Sequence, residues 1–387
     1  MQFNHDFYAG QFGLERETLR IDKNGRLAQT PHPSSDPHIT RDFCENQIEL
    51  ITPVCHSVEE ALASLAALDK TARETLDRMG EQIWLYSNPP HFETEDEIPV
   101  ADFRGEHASK RNYRELLERR YGKRLMLYSG IHFNFSFSEA WLHELQPGGN
   151  DQEFKNAYYL RLYKQLCVHS WLLVLLTAAS PVYDRSLDED GAAGIVQSRY
   201  ASMRNSERGY WNEFIPILDH TDLGTFTDSI QYYIDKGALF SASELYLPIR
   251  LKPRGINTLD NLAKNGVDHI ELRMFDLNPL TPLGIAPEDA EFAHFLILYL
   301  SQQEDFTFTP AMQEEAIINH QNAALYDLHG VTIHSIPILE QANTILDHMY
   351  AFFEDNDRSR QVITYERQKL QDPISHRITG SIYQIKE

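Results

Sequence analysis

Residues 129–137 read SGIHFNFSF. In an extended chain successive side chains point to opposite faces, so Phe133, Phe135 and Phe137 share one face and His132, Asn134 and Ser136 the other. Alternation this regular predicts a strand with one dry and one polar side. The pattern recurs. In residues 13–22, GLERETLRID, Glu15 and Glu17 stand on one face, continued by Leu19 and Ile21. In residues 42–53, DFCENQIELITP, Glu45, Gln47 and Glu49 oppose Ile48 and Leu50. In residues 244–252, ELYLPIRLK, Leu245, Leu247, Ile249 and Leu251 oppose Glu244, Tyr246, Pro248, Arg250 and Lys252. In residues 269–275, Ile270, Leu272 and Met274 oppose Glu271, Arg273 and Phe275.

Helices lie between these strands. Ser57 and Glu60 form an S-x-x-E capping box. Val58, Leu62, Leu65, Leu68, Ala72, Leu76 and Met79 then follow at helical spacing until Gly80 stops the run. A second helix is predicted from about Glu153 to Ala179, with a last third that is apolar all round and therefore buried. Pro287 opens a third, and a fourth follows Pro337 from Ile338 to about Phe353. Strands and helices mix without a βαβ rhythm, which predicts an α+β fold with a largely antiparallel sheet. Loops at Thr30–Pro37, Asn88–Pro90, Pro147–Asn150 and Asp188–Gly194 do not divide the chain, and there is no internal repeat. Residues 1–387 read as one compact domain.

Composition narrows the function classes. With 35 Lys and Arg against 57 Asp and Glu, the formal charge of −22 argues against wrapping nucleic acid or lying on an anionic membrane. Three unpatterned cysteines, Cys44, Cys55 and Cys167, exclude a disulfide scaffold and a Cys-rich zinc module. The start, MQFNHDFYAG, lacks a basic segment followed by an apolar one, and the most apolar run, residues 171–179, is far shorter than a membrane span. A cytoplasmic protein is expected. There is no G-x-x-x-x-G-K-[ST], no G-x-G-x-x-G after a strand, no H-E-x-x-H and no G-x-S-x-G.

The polar strand faces carry the chemistry. Glu15 and Glu17 side by side repel unless a cation separates them, and Mg²⁺ favours oxygen ligands; the alternative is a solvent-facing strand with Arg16 and Arg20 as partners. Glu49 is equally readable as the wet side of a half-buried strand, and His132 as a structural histidine. Glu271 and Arg273 share a face and are open to a simple ion pair. Arg250 and Lys252 could clamp phosphate or be plain surface charge. Collectively, carboxylates and guanidinium groups on one sheet face suit a polyanion bridged by Mg²⁺, as in phosphoryl transfer from a nucleotide.

Seven runs resemble, in order, the glutamate–cysteine ligase family of the bacterial type, including the ligase half of bifunctional glutathione-synthesising enzymes. They are residues 13–22, 40–54 (TRDFCENQIELITPV), 113–116 (YREL), 121–136 (YGK through SGIHFNFS), 202–210 (SMRNSERGY), 244–252 and 267–285 (VDHIELRMFDLNPLTPLGI). The resemblance implies a glutamine-synthetase-like fold, a curved, mainly antiparallel sheet forming a funnel with helices packed outside. It implies ATP-dependent joining of the γ-carboxyl of L-glutamate to the amine of L-cysteine through γ-glutamyl phosphate. Carried over by position, Glu15, Glu17, Asp42, Glu49, His132 and Glu271 are the expected ligands of Mg²⁺ or Mn²⁺. Arg114 and Arg273 match positions at the transferring phosphoryl group, and Arg204 one near the substrates. Phe43, Tyr113, Tyr210 and Tyr246 match positions around the acceptor, while Arg250 and Lys252 fall where ATP-site cations lie.

Two departures qualify that expectation. Six residues before His132, where the family often has Gln, this chain has Met126, which leaves open a γ-glutamyl ligase with a different amine acceptor. The sequence also ends about 100 residues after the Glu271 motif with no ATP-grasp half, so glutathione itself is not expected as the product. A non-catalytic sensor and a metal phosphohydrolase are the readings from other classes, and a monomer and a homodimer stay equally open.

Overall fold

A computed structural model describes residues 4–105, 108–146, 152–188 and 194–371. Its main sheet contains β1 (Gly10–Asp22), β2 (Ile39–Thr40), β3 (Gln47–Ile51), β4 (Glu81–Ile83), β5 (Gly130–Phe137), β6 (Ile249–Lys252) and β7 (His269–Phe275). The order is β2-β3-β1-β5-β7-β6, with β4 beside the end of β1. Every pairing is antiparallel and the sheet stays open. This is the expected α+β class. Phe133, Phe135 and Phe137 are buried, as are Phe12, Leu14, Ile48, Leu50, Ile249, Leu251, Ile270 and Leu272. Helices Val58–Met79, Gln152–Thr177 and Pro287–Ser301 pack against this dry side.

The first helix begins and ends where its sequence dictates. Ser57 Oγ accepts from the N–H of Glu60 at 3.1 Å, and Gly80, at φ 72°, turns its N–H back to Asp77 O and Leu76 O. Glu60 completes the cap one residue early, accepting from the N–H of His56 at 2.7 Å. The long second helix is buried through its last third, as its uniform apolarity requires.

Three expectations need correction. The strand read across residues 244–252 begins only at Ile249, because Pro248 has no N–H to give the ladder, although its carbonyl still accepts from Arg273 N at 2.9 Å. Leu245 and Leu247 therefore do not alternate in a strand; a short 3₁₀ turn, Ala242–Glu244, precedes them. The strand within residues 42–53 is only Gln47–Ile51, so Glu45 does not share a face with Glu49. Glu45 instead takes Arg41 Nε at 2.7 Å and the N–H of His32 at 2.9 Å. Gln47 is buried, not wet. The loop read at Pro147–Asn150, and most of that at Asp188–Gly194, lie outside the described residues.

Arg16 and Arg20 do not partner Glu15 and Glu17, because neighbours on a strand face opposite ways. Both are buried on the side away from those carboxylates. Arg16 pairs with Asp69 of the first helix. Arg20 Nη1 meets Glu81 Oε2 at 2.6 Å, and its Nη2 donates to Glu45 O at 2.6 Å and Thr30 O at 2.8 Å. Arg20 thus sews β1, β4 and two loops together. Removing one partner of such a pair strands the other in a low-dielectric site. Arg20→Ala is expected to lose about 3–5 kcal/mol of stability, read by urea unfolding; a loss under about 1 kcal/mol, the surface-pair range, would contradict this account.

Candidate functional site

The polar face of the sheet floors a cavity of about 530 Å³. Strand register sets its contents. Glu15 lies opposite His132, Glu17 opposite Glu49, and Glu271 has Asn134 on one side and Arg250 on the other. Residues far apart in sequence thus enter one space. His132 Nδ1 is 3.2 Å from Glu15 Oε2 and 3.7 Å from Glu271 Oε1, and its Nε2 is 3.6 Å from Glu17 Oε2. Glu15, His132 and Glu271 each bring a ligand atom within 4.8 Å of the others.

Cations border these acids. Lys252 Nζ is 3.2 Å from Glu271 Oε1, and Arg273 Nη1 is 3.2 Å from Glu271 Oε2. The ion pair read for Glu271 and Arg273 thus exists, but inside the cavity. On the far wall Arg114, on helix Ala108–Tyr121, sets Nη2 2.6 Å from Asp42 Oδ1. Arg250 Nη2 donates to the carbonyls of Ser243 at 2.8 Å and Leu245 at 3.0 Å, anchoring the stretch before β6.

The electrostatics divide the acids. Burial acts to raise Glu271, but Lys252, Arg273 and His132 outweigh it and hold the carboxyl well below its usual range. Asp42 is likewise lowered, with Arg114 and Arg273 overcoming burial, and Glu15 is lowered by its hydrogen bond to His132. Glu49 goes the other way: burial, then Glu17, Asp42 and Glu15, push it well above the usual range. The side of the cavity holding Glu49 is thus short of positive charge. His132 Nε2 is buried with no hydrogen-bond partner among the described residues. Carboxylate oxygens with one imidazole form a donor set suited to Mg²⁺ or Mn²⁺, and Glu15, Glu17, Asp42, Glu49, His132 and Glu271 all line this space.

The other end is apolar and aromatic. Phe43, Tyr113, Leu117, Met126, Tyr210 and Tyr246 line it. Burial pushes the Tyr113 hydroxyl up to about 12 and raises Tyr210 and Tyr246 as well, so all three are neutral phenols. Cys44, behind Phe43, is fully buried with its thiol pushed up by that burial, in line with the small packed residue free cysteine usually is.

Of the site residues carried over from the resemblance, Arg204 does not line the cavity. Its Nη1 donates to the carbonyls of Arg273 at 2.8 Å and Phe275 at 2.9 Å, so it holds the backbone of β7. Gly130 makes room for it: a Cβ there would lie 2.4 Å from Arg204 Cζ. Sequence reasoning missed Gln47. Its Oε1 accepts from the N–H groups of Phe43 at 2.6 Å and Cys44 at 3.0 Å, and its Nε2 donates to Met126 O at 2.9 Å. One buried amide therefore fixes two walls of the apolar end. Lys110, Ser109, Ser241 and Ser243 also line the cavity and carried no local motif that marks them.

The fold and site define a class: an α+β protein that gathers acids, imidazole and guanidinium groups on one face of an open antiparallel sheet. A family profile described as glutamate-cysteine ligase matches residues 2–236 and 214–323, and the chain belongs to that family. It is 35% identical over 396 residues to the bifunctional glutathione biosynthesis protein GshAB of Listeria monocytogenes, covering 95% of this chain and 51% of that protein. It is 32% identical to GshAB of Clostridium perfringens, covering 98% and 52%. The chain thus spans about half the length of the curated relatives it matches. A crystal structure of a bifunctional glutathione synthetase from Pasteurella multocida superimposes with a TM-score of 0.83 at 26% identity, covering 98% of this chain and 50% of that one. The same fold appears, at 24% identity and TM-score 0.83, in a glutamate–cysteine ligase from Francisella tularensis solved with AMP, with 94% of this chain and 82% of that one covered.

Glu49 gives a prediction with a definite sign. A carboxyl whose pKa rises on folding favours the folded state below its unfolded value, and that contribution is lost as pH rises through the folded value. The metal-free protein is therefore expected to lose stability from this group as pH climbs above the ordinary carboxylate range. Glu49→Gln should abolish that loss and unfold at a higher temperature than the wild type near pH 8 without metal, while gaining less from added Mg²⁺. Thermal unfolding from about pH 5 to about pH 8, with and without Mg²⁺, checks both halves. Equal midpoints at high pH would remove the crowding argument.

Proposed function

We propose that this chain catalyses the ATP-dependent joining of the γ-carboxyl of L-glutamate to the amine of L-cysteine, the first step of glutathione synthesis. The observation that carries this reading is the convergence of Glu15, His132 and Glu271 with Lys252 and Arg273 on one sheet face, in a chain of this family. A γ-carboxylate oxygen of glutamate attacks the γ-phosphorus of ATP, and ADP leaves with the bond electrons. The neutral amine of the acceptor then attacks the acyl carbon of γ-glutamyl phosphate, phosphate departs, and the new amide nitrogen loses a proton. Phosphorylation is needed because a free carboxylate offers only oxide as a leaving group.

Glu15, Glu17, Asp42, Glu49, His132 and Glu271 would hold the Mg²⁺ or Mn²⁺ ions. Bound there, divalent ions supply charge neutralisation for the phosphate chain. Arg273 faces the phosphoryl group as it transfers, its backbone carbonyl held by Arg204. Arg114 bridges to the same group from the helix Ala108–Tyr121, and Lys252 and Arg250 take the nucleotide phosphates. Beyond Glu15 the trough continues into a second cavity of about 480 Å³, lined by Gly13, Val54, Asn134, Arg254 and His269, which is the natural seat for adenosine. Phe43, Tyr113, Tyr210 and Tyr246 enclose the acceptor at the opposite end. Residues 1–387 act here as one catalytic domain, placed in the cytoplasm, with small molecules as its partners; among the described residues no helix is long and apolar enough to cross a membrane.

Multiple-turnover release of ADP should require glutamate and an acceptor amine together, since ADP formation without the amine stops at γ-glutamyl phosphate. Glu15→Gln and Glu271→Gln are expected to lower kcat by about 10³-fold or more while leaving the circular dichroism spectrum and oligomeric state unchanged. Near-normal turnover in either variant would refute the cation-cage assignment.

A further inference from the structure

A cavity of about 750 Å³ lies apart from the acid-lined one and shares no lining residue with it. His220 is the group in its wall that packing does not explain. It is 8% exposed, and its ring stacks on Tyr163 at 5.5 Å and meets Phe226 and Phe308 at 5.5 Å and 5.0 Å. Phenylalanine could fill that space, yet the side chain is an imidazole. Neither Nδ1 nor Nε2 has a hydrogen-bond partner among the described residues, and the neighbouring Leu218 carbonyl is engaged by Gln313 Nε2 at 2.9 Å. Burial, then Lys164, lower the imidazole to about 4, so near neutral pH it offers one N–H and one lone pair. A buried polar group left without a partner costs free energy, so these nitrogens need an explanation.

Positive potential gathers at the same wall. Lys164 is buried too, and its ammonium gives one proton to Phe306 O at 2.9 Å and one to Asp305 Oδ1 at 2.5 Å, which leaves a third. The helix Pro310–Ala323 starts here, with Thr309 and Pro310 in the cavity wall, and its dipole adds partial positive charge. Two acids also line the space. Asp219 Oδ1 is occupied by the N–H and hydroxyl of Thr221, at 2.9 Å and 2.6 Å. The Asp305 side chain is 61% exposed and is free to turn to water.

We propose that this cavity binds a small organic carboxylate with a flat apolar body: the carboxylate displaces Asp305 from Lys164 and takes the N–H of His220, and the body lies along Phe306 and Phe308. A carboxylate has two oxygens for these two donors, and a bond to an ionised group is about twice as strong as a neutral one. The rings of Phe306 and Phe308, 5.8 Å apart and edge to face, give the rest of the molecule an apolar wall. Nothing in this site depends on the ligase reading.

Titration calorimetry of the full chain with benzoate, paired with NMR of the labelled histidine rings, tests this. Benzoate is expected to bind and to move the His220 ring signals, and benzamide, its uncharged counterpart, to bind at least about tenfold more weakly. H220F keeps the stacked ring and removes both nitrogens, and K164M removes the ammonium. Each should weaken benzoate binding at least about tenfold, with folding checked by thermal unfolding. D305N changes a mostly exposed side chain and removes the competing carboxylate. It should tighten benzoate binding at least about threefold, which keeps the site testable if H220F or K164M does not fold. Wild type that fails to bind benzoate, equal affinity for benzamide, folded H220F or K164M that binds as wild type does, or D305N with no gain overturns the assignment.

Discussion

Glu17 and Glu49 face each other directly across β1 and β3, with Glu15 two residues along and Asp42 beside them. Like charges opposite one another weaken a sheet. The rest of the site is arranged around that repulsion. Arg273, Lys252 and Arg114 reach Glu271 and Asp42, but the carboxyl of Glu49 is left among acids and its pKa is driven up. A divalent cation bound there would relieve what Arg114, the cation that acts on Glu49, does not outweigh. The acids are therefore best understood as a deficit of positive charge built into the sheet, held in place by a core that has no stake in their protonation.

That core explains how the deficit is tolerated. The strands put acids on one face and phenylalanine or leucine on the other, and the helices bury the second face. Where β1 sends a charge toward the helices, it is matched at once: Arg16 with Asp69, Arg20 with Glu81. The two faces of a single strand thus follow opposite rules. Buried charge on the core side is paired for stability, and buried charge on the cavity side is left partly unmatched. The contrast lies between Glu81, matched by Arg20, and Glu49, whose nearest charged neighbours are mostly acids.

Much of this was legible in the sequence because period-two alternation needs no tertiary information. It placed His132, Glu15, Glu17 and Glu271 on the face they occupy, and the capping signals at Ser57 and Gly80 marked their helix correctly. The resemblance added Asp42, Arg114, Tyr113 and Tyr210, which stand in no periodic pattern, and gave a role to Tyr246, which alternation had set on the polar side of residues 244–252. What escaped had no local signature. Helix Ala108–Tyr121 buries only Leu117, so it lacks the apolar stripe that announces a helix. Its charged residues are legible only against Asp42 and Glu244, which arrive from elsewhere in the chain. Thr309 with Pro310, and Asp222 with Thr225, were readable caps for helices Pro310–Ala323 and Leu223–Asp235 that went unread. Gln47 looked like one more wet residue between Glu45 and Glu49, because alternation reports a side chain's direction and not whether backbone groups await it there.

The trough also has a direction. Along it the lining passes from Gly13, Val54 and Arg254, through the acids and cations around Glu271, to neutral phenols and Met126. A nucleotide is a base joined to a polyanion, and an amino-acid acceptor must offer an uncharged amine to react. That order of environments matches the order of base, polyanion and amine that the proposed reaction requires. In the proposed reaction the aromatic end also matters for the acyl phosphate, because water would compete with the amine for the same carbon. A wall of Phe43, Leu117 and Met126, fixed by the Gln47 amide, would limit the room for that water.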